Sequence, residues 1–243
     1  SGSRIVRAAD DAAGLSISTV MNAQIRGKRQ ASRNANDAIS IVQVAEGAMN
    51  ELSAMLSRMR ELGIHAASDT VGSDERDMID METQQLKNEI DRISQATKWN
   101  NSQLLTGQEH SFDIHVDTHN GANQKILIET FDLAQSPHAL GIYDIRMDSQ
   151  LQAKLSLEKL DYAINEVSKS RSKLGAYQSR FESAIQNLSI SDENLSAAKS
   201  GIKDADYAKE VSKNVKDKIM QEAAVSTLQS ANLSSAHVLK LLG

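Results

Sequence analysis

The residues best suited to chemistry are two carboxylates and two histidines near the middle of the chain. Asp113, His115, Asp117 and His119 alternate along a strand-like stretch, so their side chains should project from one face. Imidazole and carboxylate groups are ligands for Zn²⁺ or a similar ion. A flat row at a spacing of two rarely converges on one metal, so we favour a polar strand face beside a turn.

No other group of residues suggests catalysis. The remaining histidines are scattered and lack the spacing of a metallopeptidase helix; they include His65, His110, His138 and His237. The chain contains no cysteine, which excludes disulfides and thiol chemistry. We therefore predict no enzyme activity, no metal site and no cofactor.

The composition favours long helices over a ligand-binding pocket. Of the 243 residues, 40% are hydrophobic but only 3% are aromatic, so the core must consist of aliphatic side chains. A single proline and twelve glycines leave long stretches free to be helical. We therefore predict a mainly α fold, a long antiparallel helical rod resembling a coiled-coil bundle, with a small β-hairpin region.

Charge and hydropathy exclude two partner classes. The net charge of −5 gives no general attraction to nucleic acid or to an anionic membrane, and no apolar run approaches the roughly 18 residues of a membrane span. Arg26, Lys28, Arg29 and Arg33 form a short basic cluster that could contact phosphate. A solvated face or a salt-bridge site between subunits is the favoured interpretation.

Three helices should form the rod. Steps of three and four between small or apolar residues predict helices at about 11–66 and 149–203, with a less regular helix at 73–98. Ser73 is placed to cap the middle helix, and Lys87 with Asp91 should form an ion pair on it. The first seam contains Ala35, Ala38, Val42, Ala45, Met49, Leu52, Leu56, Met59, Gly63 and Ala66.

The middle of the chain has a different pattern. Residues 108–147 contain strand-like alternation around Phe112–Val116, a turn at Asn120-Gly121 and a second β-rich run at Lys125–Thr130, which together predict a hairpin. The helical pattern then returns with a second long seam. Since two such seams need each other for burial, the first and third helices should lie side by side.

The last segment, residues 204–243, should form an amphipathic helix with an uncovered apolar stripe. Nothing else in the chain is left to cover this stripe, which implies a partner. The stripe contains Val211, Val215, Ile219, Leu228, Leu233, Val238, Leu239 and Leu242.

Several runs together resemble bacterial flagellin. These runs are Ser3–Ile5, Ala9–Ser16, Asn34–Asp37, Val44–Gly47, Arg58–Leu62, Asn88–Ile93, Leu174–Ala176, Asn187-Leu188, Ile202–Tyr207, Ala231-Asn232 and Val238–Leu242. Their order and spacing match the family over nearly the whole chain. The resemblance implies a filament subunit with a rod domain at 1–203 and a filament-core helix at 204–243.

The same resemblance implies partners and a location. The expected partners are other flagellin copies, an export chaperone that shields the terminal stripe, and the filament cap and hook-junction proteins. The location would be the extracellular bacterial flagellum, and a periplasmic or sheathed filament is the alternative. Members of the family begin with some forty further residues that form the other core helix and carry a type III export signal. We expect the sequence to start after them.

The resemblance also indicates a possible receptor surface. Arg58, Glu61 and Leu62, with Gln85 and Glu89, are similar to the surface that some flagellins present to Toll-like receptor 5. The seam leaves Arg58 and Leu62 on a flank beside it. Packing between subunits is the default interpretation of this surface, and receptor binding is the alternative.

Two other functions remain open at this level. A hook-filament junction protein would share the helical ends, although the compact middle and the Asp10–Gly14 and Asn88–Ile93 runs favour the filament. A signalling coiled-coil hairpin would share the long heptads but would need neither the β-hairpin nor the apolar terminal stripe.

Overall fold

The computed structural model describes residues 2–107, 111–118, 121, 124–130 and 133–242, with side chains described as far as residue 231. Within these residues the fold is mainly helical, as predicted. The helices are α1 (Ala12–Ala66), α2 (Ser73–Ala96), α3 (Gln150–Lys203) and α4 (Tyr207–Leu242). The strands are β1 (Lys98–Trp99), β2 (Ser102–Gln103), β3 (Ser111–His115) and β4 (Lys125–Glu129).

The chain divides into two compact units. One unit joins Ser1–Ala23 to Asn194–Gly243, and the other contains Gln24–Glu193. The main hydrophobic cluster lies wholly inside the second unit, between Ala35 and Phe181. None of the described helices has the length and apolarity to span a membrane.

In the second unit α1 and α3 run antiparallel and side by side. Arg29 Nε lies 3.0 Å from Asp192 Oδ2, and Arg60 Nε lies 2.6 Å from Asp161 Oδ1. The two arginines are 31 residues apart on α1, and their partners are 31 residues apart on α3 in the opposite direction. The helices therefore keep one register over about 47 Å.

The heptad seams face each other in the core. All ten residues of the predicted α1 seam are buried. On α3 the buried seam positions include Leu160, Val167, Leu174 and Phe181. Small residues such as Ala38 and Ala163, both fully buried, let the helices approach closely, because a short side chain takes little space at the contact.

The ends of α2 differ from the prediction. The N-cap is Gly72, not Ser73, and the Gly72 N–H donates to Glu75 Oε2 at 3.1 Å. The helix ends at Ala96 instead of residue 98, because Lys98 enters β1 and pairs with Gln103. The intervening turn uses Asn100 and Asn101 at φ 43° and 69°, a conformation that asparagine tolerates better than most residues.

The predicted hairpin is formed by β3 and β4. The strands are antiparallel, with Phe112 opposite Ile128 and Ile114 opposite Ile126. Ile126 and Ile128 are buried and join the hydrophobic cluster, against which Phe112 and Ile114 also pack. Asn120 of the predicted turn lies outside the described residues.

The segment after the hairpin covers the core without forming a helix or strand. Its buried residues include Leu133, Leu140, Ile142, Ile145 and Met147. Gln135 Nε2 donates to Ser170 Oγ of α3 at 2.9 Å, which anchors the segment. Lys87 Nζ donates to the Tyr143 carbonyl at 2.9 Å, so the predicted pair with Asp91 does not form. Burial against this segment lowers the pKa of Lys87.

Candidate assembly surfaces

The described part of α4 is exposed along its whole length. Every residue from Tyr207 to Ala231 is in contact with solvent to a large extent, including the predicted stripe residues Val211, Val215, Ile219 and Leu228. Ile219 is 61% exposed and Leu228 is 62% exposed. The side chains of Leu233, Val238, Leu239 and Leu242 lie outside the described residues.

The apolar residues of α4 do not form the single stripe that the sequence suggested. At about 100° of rotation per residue, Met220 lies about 180° from Val211, and Leu228 lies about 100° from Val211 on the side away from Ile219. Met220 and Val225 are themselves 53% and 50% exposed. A helix that is apolar on several sides is typical of one surrounded by other helices.

The segment from Gly2 to Ile5 pairs with the junction between α3 and α4. Backbone N–H groups of Arg4 and Ile5 donate to the Lys203 carbonyl at 2.7 and 3.3 Å, and the Ala205 N–H donates to the Gly2 carbonyl at 2.9 Å. The Arg4 guanidinium donates to the Ile202 carbonyl at 2.7 Å. The last carbonyls of a helix have no partner within the helix, so this segment supplies hydrogen bonds that α3 would otherwise lack.

The turn before α1 is formed by two neighbouring aspartates. Asp10 Oδ2 accepts hydrogen bonds from the Arg7 N–H at 2.8 Å and the Val6 N–H at 3.0 Å. Both hydrogen bonds lower the pKa of Asp10, and the one from Arg7 has the larger effect. Asp11 Oδ1 accepts from the Gly14 N–H at 2.9 Å, which is the hydrogen bond of a helix N-cap.

The Arg58 surface contains exposed ion pairs on α1 and α2, one of which joins the two helices. Arg58 donates to Glu82 at 2.9 Å and to Glu61 at 3.3 Å, and the hydrogen bond to Glu82 is the main cause that raises the pKa of Arg58. Gln85 is exposed on α2. Glu89, further along α2, pairs with Arg92 at 2.5 Å instead of with α1.

Leu62 does not belong to this surface. It is only 5% exposed and is part of the hydrophobic cluster, so the prediction that it lies on a flank is wrong. The buried side of α1 is therefore wider than the two positions per heptad used in the prediction, and α2 contributes Ile79 and Ile90 to the same cluster. Arg58, Glu61, Gln85 and Glu89 remain accessible, and receptor recognition through them stays a prediction.

The row of histidine and aspartate residues is divided by the structure. Asp113 and His115 lie on β3, but the strand ends at His115, so Asp117 is in the following loop and accepts from the Thr118 N–H at 2.6 Å. Asp113 pairs with Lys125 of β4 at 2.5 Å. His119 and His110 lie outside the described residues, and no group of three potential metal ligands occurs among the described ones.

The basic cluster lies beside a groove between α1 and α3. Lys28, Arg29 and Arg33 line it, whereas Arg26 is exposed outside the lining. The pairing of Gly2–Ile5 with residues 202–205 was not predicted. Both segments, Ser3–Ile5 and Ile202–Tyr207, carry part of the family resemblance. Neither run by itself indicates that it pairs with the other.

Two long helices packed along apolar seams, together with an exposed apolar helix, define a structural protein that acts through helix packing. A model of the bacterial flagellin N-terminal helical region matches residues 1–110, and one of the bacterial flagellin C-terminal helical region matches residues 157–242. The chain belongs to the bacterial flagellin family.

Individual relatives agree with the family models. The flagellin of Halalkalibacterium halodurans is 40% identical over 242 residues, an alignment that covers 100% of this chain and 88% of that protein. The flagellar filament 33 kDa core protein of Treponema phagedenis is 37% identical over 254 residues, an alignment that covers 100% of this chain and 89% of that protein. Flagellins are structural proteins, and the chain is a structural subunit of the flagellar filament.

Solved structures show the same fold. The crystal structure of Bacillus cereus flagellin has a TM-score of 0.57 and 26% identity, covering 64% of this chain and 88% of that one. A putative flagellar hook-associated protein from Vibrio parahaemolyticus has a TM-score of 0.65 over 80% of this chain and 100% of that chain, at 10% identity. The similarity to the hook-associated protein concerns the fold alone, so it is not evidence for the hook-junction alternative.

Proposed function

We propose that this flagellin polymerises by packing α4 among helices of other copies, while the paired α1 and α3 helices pack against neighbouring subunits. In this arrangement residues 1–203 form the rod domain and residues 204–243 form the filament-core helix. The observation that carries the proposal is the exposure of apolar side chains on several sides of α4, from Val211 to Leu228.

The physical driving force is the burial of these side chains. Full burial of a valine, leucine, isoleucine or methionine side chain stabilises by roughly 1.5–3 kcal/mol. A helix with such residues on opposite sides needs neighbours on more than one side. Contacts of that kind do not close at a dimer, and repeated head-to-tail contacts produce an open helical assembly.

The remaining partners follow from the same surface. An apolar helix exposed before assembly is an aggregation hazard, which supports an export chaperone that shields α4 until the subunit leaves the cell. The cap and hook-junction proteins are the expected neighbours at the ends of the filament. We place the assembled protein outside the cell, in the flagellum, where it acts mechanically and without catalysis.

The test is an assembly experiment with a matched charge control. Ile219→Asp places a carboxylate on the apolar surface of α4, while Asn214→Asp adds the same charge at a polar, exposed position on the same helix. Both variants are made in the full-length flagellin and should retain the circular dichroism spectrum of the parent protein. Electron microscopy after induction of polymerisation with salt should show filaments for Asn214→Asp and none for Ile219→Asp. Normal filaments from Ile219→Asp would refute the role of α4.

A further inference from the structure

A groove in the unit Gln24–Glu193 follows one edge of strand β3. Its volume is about 340 Å³, and its walls come from α1, from the β1–β2 turn and from β3 itself. Four consecutive residues of β3, from Phe112 to His115, line it. The two faces of a strand are lined by alternate residues, so a groove that meets consecutive residues lies along the edge. The filament function proposed above does not use this groove.

One edge of β3 is used by β4. The Val116 N–H, just beyond β3, donates to the Gln124 carbonyl at 2.9 Å, which continues the register of the two strands. In an antiparallel pair, every second residue directs both its N–H and its carbonyl at the partner strand. Ile114 and Phe112, two and four residues before Val116, therefore direct their backbone groups at β4.

The other edge of β3 faces the groove. Ser111, Asp113 and His115 alternate with the residues that bond to β4, so their backbone groups point away from β4. Asn34 of α1, which also lines the groove, confirms this direction, because its side-chain amide donates to the His115 carbonyl at 3.2 Å. No described residue bonds to the N–H or carbonyl groups of Ser111 and Asp113 on this side. An open strand edge is a template for pairing with another extended chain.

The groove favours positive charge in its occupant. Its lining contains the carboxylates of Asp37 and Asp113 and no lysine or arginine. Asp113 pairs with Lys125 of β4, but Asp37 is exposed and has no ion-pair partner in the described part of the chain. Trp99 adds an aromatic wall, against which the alkyl stem and the charged head of a lysine or arginine pack favourably.

We propose that this groove binds an extended, positively charged peptide segment of another protein, which adds a strand to the free edge of β3. The main chain of the segment pairs with Ser111 and Asp113, and a lysine or arginine of the segment lies beside Asp37 and Trp99. In strand addition, backbone hydrogen bonds give affinity and side-chain contacts give specificity. This chain has a net charge of −5, so charge complementarity favours a basic partner over a second copy of the chain.

Titration of the purified, unpolymerised protein with a synthetic peptide tests the proposal. The probe is a five-residue peptide with blocked ends, in which lysine or arginine alternates with valine. Trp99 is the only tryptophan of the chain, so its fluorescence reports occupancy of the groove, and calorimetry gives the affinity. We expect saturable binding by both measurements. No heat above dilution, or heat without a change in Trp99 emission, would overturn the proposal.

Two control peptides separate strand pairing from charge attraction. A version N-methylated at every residue keeps the charges but loses the backbone N–H donors, so it should bind at least about tenfold more weakly. A version with glutamate at the cationic positions keeps the N–H groups and should also bind more weakly. Equal affinities of the N-methylated and unmodified peptides would refute strand addition, and equal affinities of the glutamate and cationic peptides would refute the preference for positive charge.

Three variants assign the binding to this edge. Ser111→Pro removes a donor on the groove side only, at the first residue of a strand, where proline is tolerated, and should weaken binding. Asp37→Asn should weaken it about two- to fivefold, the range for an exposed ion pair. Glu51→Gln removes the same charge at an exposed α1 position outside the groove and should leave it unchanged. Circular dichroism confirms that each variant is folded, and equal losses in Asp37→Asn and Glu51→Gln would indicate non-specific attraction.

Polymerised protein distinguishes the two classes of occupant. If the partner is another protein, the edge stays open in the filament, and the peptide should change Trp99 emission in filaments as it does in the unpolymerised protein. A response that is lost on polymerisation would show that a neighbouring copy occupies the edge, which would overturn the choice of partner.

Discussion

At the scale of single residues, the start of α1 depends on one carboxylate and one absent side chain. Asp11 caps the helix by accepting the Gly14 N–H. A Cβ on Gly14 would contact Asp11 Oδ2 and would lie 2.7 Å from Ile5 Cδ1. Asp11 could relieve this contact only by rotating, which would break its capping hydrogen bond. The residue types of the run Asp10–Gly14, which carries part of the family resemblance, therefore have a structural explanation.

We predict that Gly14→Ala loosens this turn. Alanine normally stabilises a helix relative to glycine by about 1 kcal/mol, but loss of the cap costs about 0.5–2 kcal/mol. Amide hydrogen exchange measured by NMR should therefore be faster at residue 14 and at Val6 and Arg7.

Gly47→Ala is the matched control for this prediction. Gly47 also lies in α1, and a Cβ there would meet no atom within 4 Å. This substitution should leave exchange at Val6, Arg7 and Gly14 unchanged. Unaltered or slower exchange in Gly14→Ala would show that the turn does not need the glycine.

At the scale of elements, two kinds of interaction connect α1 to α3. The ion pairs Arg29–Asp192 and Arg60–Asp161 mark the register, but Arg60 and Asp161 are about half exposed, at 44% and 52%. Pairs exposed to this extent contribute about 0.2–1 kcal/mol. The α1 seam residues and Leu160, Val167, Leu174 and Phe181 of α3 are buried, so the seams, and not the ion pairs, should account for most of the stability.

We predict a clear difference between these two contributions in urea unfolding. Leu160→Ala should lower the free energy of unfolding by about 2–5 kcal/mol, because a fully buried leucine is replaced by a cavity. A double-mutant cycle of Arg60→Ala and Asp161→Ala should give a coupling below about 1 kcal/mol. A coupling larger than the cost of Leu160→Ala would contradict this order.

At the scale of the whole molecule, the main core belongs to one unit. Every residue of the large hydrophobic cluster lies between Ala35 and Phe181, inside the unit Gln24–Glu193. That unit includes parts of α1 and α3, all of α2, and the β3–β4 hairpin. It therefore contains the groups that it must bury to fold, which is the condition for an independent domain.

We predict that a fragment of residues 24–193 folds alone. Its circular dichroism spectrum should be mainly helical, and it should unfold in one cooperative urea transition with a midpoint close to that of the whole chain. A gradual, non-cooperative loss of helicity would show that residues 1–23 and 194–243 are needed for the core. The fragment lacks α4, so it should also fail to form filaments.

The sequence by itself determined the features that depend on local periodicity. Spacing of three and four residues located α1 and α3 and identified all ten buried residues of the first seam, and alternation located β3 and β4. These patterns succeed because the side chains of one helix face or one strand face are set by backbone geometry alone. Composition indicated the helical class for the same reason, since proline and glycine act on the backbone where they occur.

The tertiary structure decided which surfaces another element covers. Leu62 is buried within the hydrophobic cluster, to which α2 contributes Ile79 and Ile90. Lys87 bonds to the Tyr143 carbonyl because residues 133–147 fold over α2. The pairing of Gly2–Ile5 with Lys203 and Ala205 joins segments some 200 residues apart. Such contacts depend on the packing of distant segments, and no local pattern in either segment specifies its partner. The groove at Arg29, Arg33 and Asp192 likewise exists only once α1 and α3 lie side by side.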